Sequence, residues 1–134
     1  CWISSNSHRK LARCAPMNLL SIVLLAALGG FIRYAMEYYF PAVGPSAFPR
    51  ATLIVNIAGA FLLGLVLALP GESQIILGIG FCGALTTFSG VSLQLHRRLT
   101  SKAYRAAFNY TVALLAGGLA AGGTGIIIGR IIFS

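Results

Sequence analysis

The sequence has little charge and almost no acid. Only 9% of its 134 residues are charged, against about a quarter in an ordinary soluble domain, whereas 57% are hydrophobic and the mean hydropathy is +0.86. Glu37 and Glu72 are the two acids. Because acid–base catalysis needs titratable groups gathered in one pocket, the chain is not predicted to be an enzyme. A chain this apolar is predicted to cross a membrane several times.

Cysteine and histidine are also scarce. Cys1, Cys14 and Cys82 lack metal-ligand spacing, and His8 and His96 stand alone, so these side chains predict no metal site. The net charge of +8 would suit a nucleic-acid-binding protein. The basic residues, however, cluster at the ends of apolar segments and in loops, as they do in membrane proteins. No nucleic-acid partner is predicted.

Four apolar segments occupy most of the chain. They cover residues 17–39, 51–69, 75–95 and 106–129. Each is predicted to be a transmembrane helix, because about 20 apolar residues span the hydrocarbon core. The connections are short, with a proline-containing loop over 41–50, a tight turn over 70–73 and a basic loop over 96–105. The predicted fold class is an all-α membrane protein with four transmembrane helices.

The polar and basic residues 1–16 are predicted to be a disordered N-terminal extension, followed by one four-helix domain over residues 17–134. A secretory signal peptide is the alternative, because basic residues precede an apolar run. That run continues past Gly29 and Gly30 and is followed by Arg33 and Tyr34, which does not suit a cleavage site. The extension is therefore the preferred interpretation.

Basic residues are divided almost evenly between the two sides of a four-helix topology. Arg9, Lys10, Arg13 and Arg130 fall on one side, and Arg50, Arg97, Arg98, Lys102 and Arg105 on the other. The weak positive-inside signal favours a chain that inserts in both orientations and pairs antiparallel with itself. A start at Met17 would instead leave one basic residue against five and favour a fixed orientation.

Small residues at four-residue spacing predict close packing of helices. The rows are Gly117, Ala121, Gly125 and Gly129 in the fourth segment, and Ala60 and Gly64 in the second. Such rows let helix backbones approach closely within a membrane. Four thin helices packed in this way leave little internal space, so a dimer is the predicted unit.

A polar stretch over residues 83–90 interrupts the third apolar segment. It contains Thr86, Thr87 and Ser89, with Gly83 and Gly90 at its ends. These residues weaken a helix, and a break frees backbone carbonyls. At membrane depth a break is tolerated only where protein buries it or where it lines a cavity. The stretch therefore predicts a polar site inside the membrane.

Three further positions are candidates for an ion path. Thr52 and Asn56 share one face of the second segment, where a buried asparagine either holds helices together or donates into a pore. Arg33 either reaches towards the interface, pairs with Glu37 one turn later, or attracts anions at a vestibule. The residues alone leave these alternatives open.

Two aromatic residues complete the set of candidates. The ring of Phe88 lies within the polar stretch, and its positive edge can meet an anion without a full charge. Tyr110, near the start of the fourth segment, is most simply an interfacial anchor, although its hydroxyl can also donate a hydrogen bond.

Three motifs resemble the Fluc/CrcB family of fluoride channels over nearly all of residues 17–133. They read GGFIRY at 29–34, TLIVNIAG at 52–59 and GFCGALTTFS at 80–89. The third is highly specific for the family. The resemblance implies an antiparallel, dual-topology dimer with two pores in the lipid bilayer of a bacterial plasma membrane, which exports fluoride passively and so protects the cell.

The resemblance also implies roles for single residues. It makes Asn56 the pore asparagine and Phe88 the first of two phenylalanines, and it matches Arg33 and Tyr110 to an arginine and a tyrosine of the family. The hydroxyl residues Thr52, Thr87 and Ser89 are added to the predicted ion path, because hydroxyl groups can replace the water around fluoride without a full charge. The carbonyls of Gly83 and Thr86 would hold a structural sodium ion shared by two subunits. The chain departs from the family at Val91, where a second phenylalanine is usual. The partner is therefore either a second copy or a related subunit that supplies the missing ring.

Two other functions remain as alternatives. Small proton-coupled multidrug transporters are also four-helix dual-topology proteins, but they need a carboxylate deep in the first helix. Glu37 lies near the end of its segment, beside Tyr38 and Tyr39. A membrane assembly subunit without transport activity would suit the glycine rows, but it would leave the polar stretch over 83–90 unexplained.

Overall fold

The computed structural model describes residues 7–42 and 47–133, and every regular element in these ranges is a helix. In chain order the elements are α1 (Ser7–Tyr39), α2 (Arg50–Val66), α3 (Glu72–Ile75), a π-helix (Ile76–Cys82), α4 (Gly83–Leu85), α5 (Phe88–Thr100) and α6 (Tyr104–Phe133). The all-α prediction is confirmed for this part of the chain. Helix α1 begins within the N-terminal extension, and the domain boundary at residue 17 stays a prediction.

Three helical stretches are long and apolar enough to cross a membrane. They are Leu19–Tyr39, Glu72–Thr100 and Tyr104–Phe133, which confirms the first, third and fourth predicted segments. Helix α2 is apolar but has only 17 residues. It ends at Val66 rather than at residue 69, so the fourth crossing stays a prediction.

The basic loop predicted over residues 96–105 is wrong at both ends. Helix α5 continues to Thr100, and α6 begins at Tyr104. The turn between them is short and includes Lys102 with a positive φ of 57°. Helix can continue here because Arg97 and Arg98 occupy the last turn of α5, where cations offset the negative end of the helix dipole.

Helices α2 and α6 pack backbone against backbone through their small residues. Gly64 and Gly125 are both buried. A Cβ atom on Gly125 would meet the Phe61 carbonyl oxygen and lie 3.1 Å from the Leu65 nitrogen, and one on Gly64 would meet the Gly122 carbonyl oxygen. The predicted role of the glycine rows in helix packing is therefore confirmed.

Helix α1 packs against the π-helix and α4. A Cβ on Gly29 would lie 2.6 Å from the Phe81 carbonyl oxygen, and one on Gly80 would lie 3.1 Å from the Ile22 carbonyl oxygen. These close approaches hold the third span against α1 on one side, while α2 contacts it on the other. Large apolar side chains such as Leu24, Leu119 and Ile131 are exposed, as expected for a surface that faces lipid.

Candidate functional site

The third span is interrupted within the predicted polar stretch. Thr86 (φ −77°, ψ 152°) and Thr87 (φ −146°, ψ 121°) are extended, and they separate α4 from α5. The hydroxyl of Thr87 then caps α5, because its Oγ1 accepts a hydrogen bond from the Gly90 N–H at 3.1 Å. The same oxygen lies 3.0 Å from Ser89 Oγ. A short polar cluster thus begins α5.

Asn56 of α2 is bonded directly to this break. Its Oδ1 accepts a hydrogen bond from the Thr87 N–H at 3.0 Å, and its Nδ2 donates to the Thr52 carbonyl at 2.7 Å. A side-chain amide has two N–H donors, so the bond to Thr52 uses one and leaves a second for another acceptor. Asn56 therefore joins two helices, and it also retains a donor at the break.

The break takes away the N–H donors that two backbone carbonyls, those of Gly83 and Thr86, would have in a continuous helix. In a continuous α-helix the Gly83 carbonyl would accept from the Thr87 N–H, and the Thr86 carbonyl would accept from the Gly90 N–H. Here the Thr87 N–H donates to Asn56 and the Gly90 N–H donates to the Thr87 hydroxyl. The oxygens of Gly83 and Thr86 are thereby free of those bonds and could act as ligands for a cation.

Two glycines allow α2 and the broken third span to approach each other closely. A Cβ on Gly59 of α2 would meet the Thr86 methyl group, and one on Gly90 of α5 would lie 3.3 Å from the Thr52 methyl group. Both contacts join α2 to the broken span. They explain why glycine stands at these two positions of the sequence.

The predicted pathway residues fall into two groups by exposure. Thr52 and Thr87 are buried between α2 and α5, whereas Phe88 is 84% exposed and Ser89 is also exposed. Phe88 thus points away from the core formed by this chain. Val91, where the family pattern fails, is half-buried.

A cleft of about 290 Å³ opens beside Thr52, between the ends of α1, α2 and α5. Gly90, Gln94 and Arg97 line it from α5, and Glu37 lines it from α1. Thr52 is therefore shared between the cleft and the polar cluster, because its carbonyl also accepts from Asn56. Water or an ion in this cleft would lie next to the cluster.

Arg33 is half-buried on α1 and lies one turn before Glu37.

Tyr110 has no exposed surface, so the prediction that it is an interfacial anchor is wrong. The guanidinium carbon of Arg98 lies 5.1 Å from the centre of its ring, and the ring of Phe48 meets it edge-on at 6.0 Å. Arg98 of α5 and Phe48 of the α1–α2 connection thus enclose the ring from these sides.

The burial of Arg98 was not predicted from the sequence, because its position among basic neighbours suggested a loop. The structure leaves Arg98 only 2% exposed. Its spacing of four residues from Gln94, with an aromatic residue at the start of the next helix, is a pattern that could have indicated a buried cation.

Comparison of the sequence with known proteins finds a matching family and similar proteins. Residues 20–126 match the sequence profile of a family described as CrcB-like protein, Camphor Resistance (CrcB). The chain is 35% identical over 120 residues to the fluoride-specific ion channel FluC 1 of Leifsonia xyli subsp. xyli, covering 85% of this chain and 88% of that protein.

Two further relatives are also named as fluoride-specific ion channels. The chain is 38% identical over 124 residues to the fluoride-specific ion channel FluC of a Caulobacter species, covering 87% of this chain and 97% of the relative. It is also 38% identical over 110 residues to the fluoride-specific ion channel FluC 2 of Listeria monocytogenes, covering 77% and 83%. The similarity extends over most of both proteins in each case.

Proposed function

The chain belongs to the CrcB family, and from that premise we propose that it is a fluoride-specific ion channel. It is a multi-pass plasma membrane protein, not an enzyme, and it lets fluoride leave the cell down its gradient and so relieves fluoride toxicity. The observation that carries the proposal is the bond between Asn56 and Thr87. It fixes an amide with a remaining N–H donor at a break inside an apolar span.

The donors at the break suit a small, strongly hydrated anion. A pore must replace the water around fluoride, yet it must bind the ion weakly enough for release. The remaining Asn56 N–H, the Ser89 hydroxyl and the edge of the Phe88 ring are donors without full charge. Thr52 and Thr87 hold these groups in position from within the subunit. Arg33 and Tyr110 complete the proposed path by analogy with the family.

The exposure of Phe88 supports a dimer as the working unit. A side chain that is 84% exposed in the middle of a span lines a path only where a second surface faces it. We therefore assign two pores to an antiparallel, dual-topology dimer, each bounded by both subunits. The partner is a second copy or a related subunit, and Val91 is the position where a related subunit would supply the missing ring.

The freed carbonyls support a structural sodium site at the dimer axis. Gly83 and Thr86 would contribute two oxygens from each subunit, hence four in all, and oxygen is the ligand that hard cations prefer. Gly83 is exposed and so is accessible to an ion shared with a partner. When bound, the ion would supply positive charge that joins the two broken helices without a carboxylate.

Removal of sodium is therefore expected to weaken the dimer. Purified protein transferred from sodium chloride into N-methylglucamine chloride of equal ionic strength should shift from dimer towards monomer in size-exclusion chromatography, and its Tm should fall. Readdition of sodium should restore the dimer. An unchanged dimer fraction after exhaustive exchange would argue against a shared sodium site.

The channel function itself is tested by fluoride efflux from vesicles that contain the purified chain. The unmodified protein should empty its vesicles, whereas Phe88→Ala should slow efflux at least about tenfold, because loss of one anion–ring contact worth roughly 1.4 kcal/mol has that effect. An electrode outside the vesicles measures the release.

Phe108→Ala is the matched control, because Phe108 is also exposed, at 70%, but lies on α6 away from the break. It should leave efflux unchanged. If vesicles with the unmodified chain release no more fluoride than empty ones, the chain alone is not a channel. If Phe88→Ala conducts as well as Phe108→Ala, Phe88 does not line the path.

A further inference from the structure

Arg98 is the one charged side chain that is buried in the part of the structure with described side chains. Its Nη1 donates to the Gln94 carbonyl at 2.7 Å and lies 3.4 Å from Gln94 Oε1, and its Nη2 donates to the Ala47 carbonyl. The ring of Tyr110 covers the guanidinium. The charge is therefore in contact with neutral oxygens and a ring rather than with a carboxylate.

These contacts place Arg98 directly behind the wall of the cleft. Gln94 lines the cleft, and so does Pro49, two residues after Ala47. Arg98 itself is absent from the lining, whereas its neighbour Arg97 is exposed and reaches the cleft. The guanidinium thus contacts α5, the α1–α2 connection and α6, and the first two of these line the opening.

Burial of this charge is unfavourable by itself. A cation near a membrane span without an acidic partner has a large desolvation cost. The Nε of Arg98 also has no hydrogen-bond partner among the described residues. Two carbonyls and a ring offset only part of that cost, so packing alone does not account for an arginine here.

We propose that Arg98 is a positioning residue for the fluoride entrance, a buried positive charge that draws fluoride into the cleft without touching it. The inference rests on the proposed function. In a medium of low dielectric constant the attraction extends across one layer of side chains. Because neutral groups separate the charge from the cleft, the ion is concentrated there and still released, as conduction requires.

The experiment measures initial fluoride efflux from vesicles as a function of the internal fluoride concentration. Arg98→Met removes the charge and keeps an unbranched side chain, and it should raise the half-saturating concentration about fivefold or more while the maximal rate changes less than about twofold. Arg98→Lys retains the charge and should stay within about twofold of the unmodified protein. A purely structural role would lower the maximal rate and leave the half-saturating concentration unchanged.

Arg105→Met is the matched control, because Arg105 is exposed on α6 and does not line the cleft. Its exposed charge is screened by salt, so the half-saturating concentration should change less than about twofold. An unchanged value in Arg98→Met, or equal shifts in Arg98→Met and Arg98→Lys, would overturn the proposal. If Arg98→Met does not assemble, Arg98→Lys decides, since a shift of about fivefold or more in that variant overturns a role for the charge.

Efflux from the unmodified protein distinguishes a failure of the channel function from a failure of the role proposed for Arg98. If the unmodified protein releases no fluoride, the chain alone is not a channel, and the role of Arg98 in such a channel is overturned with it. If it conducts and Arg98→Met matches its half-saturating concentration, the channel function stands and only the role of Arg98 is rejected.

Discussion

Asn56→Asp is expected to reduce fluoride efflux at least about 100-fold. The carboxylate can still accept the Thr87 N–H, so the bond that holds the break is retained. It can no longer donate, and its negative charge opposes an anion in the path. Loss of one hydrogen bond to a charged species together with this repulsion amounts to roughly 3 kcal/mol, or two factors of ten.

The measurement is efflux from vesicles that hold equal amounts of protein, with dimer content checked by size-exclusion chromatography. Asn109→Asp is the matched control, because Asn109 is exposed on α6 and the substitution is chemically identical. It should conduct at the unmodified rate. Efflux from Asn56→Asp within tenfold of the control would remove Asn56 from the anion path and leave it as a residue that only joins helices.

Gly125→Ala is expected to destabilise the protein by about 1–2 kcal/mol. The added methyl group would meet the Phe61 carbonyl and lie 3.1 Å from the Leu65 nitrogen and 3.2 Å from the Gly64 Cα. Overpacking commonly costs about 1–3 kcal/mol, and backbone atoms on α2 cannot rotate away as a side chain can. The better helix propensity of alanine offsets only about 1 kcal/mol.

Gly123→Ala on the same helix provides the comparison, because a Cβ there meets nothing within 4 Å. That variant should be as stable as the unmodified protein or more stable by up to about 1 kcal/mol. Thermal unfolding in detergent, with Tm as the readout, compares the two. Equal Tm values for Gly125→Ala and Gly123→Ala would contradict the close α2–α6 packing.

Local sequence features predicted much of this structure. The hydroxyls and glycines of residues 83–90 indicated the break, because they weaken helix wherever they stand. The glycine at position 125 and its companions indicated close packing, since only small side chains permit it. The four-residue spacing of Thr52 and Asn56 placed both on one face, and Asn56 does bond to the Thr52 carbonyl.

Contacts distant in sequence could not be predicted in the same way. The bond from Thr87 to Asn56 joins residues 31 positions apart, and no periodicity encodes it. The burial of Arg98 depends on the Ala47 carbonyl and on Tyr110 of another helix. Its basic neighbours in the sequence do not indicate these contacts, so a loop was predicted there. The length of α2 was overestimated because the apolar residues beyond Val66 continue after the helix ends.

The bond between Asn56 and Thr87 also bears on biosynthesis. A ribosome makes Asn56 31 residues before Thr87, so the acceptor exists before the donor that needs it. The third span can therefore exchange a helical bond for the bond to Asn56 as soon as it meets α2, without waiting for α6. The bond that replaces this helical hydrogen bond therefore needs, besides Thr87 itself, only residues made before it.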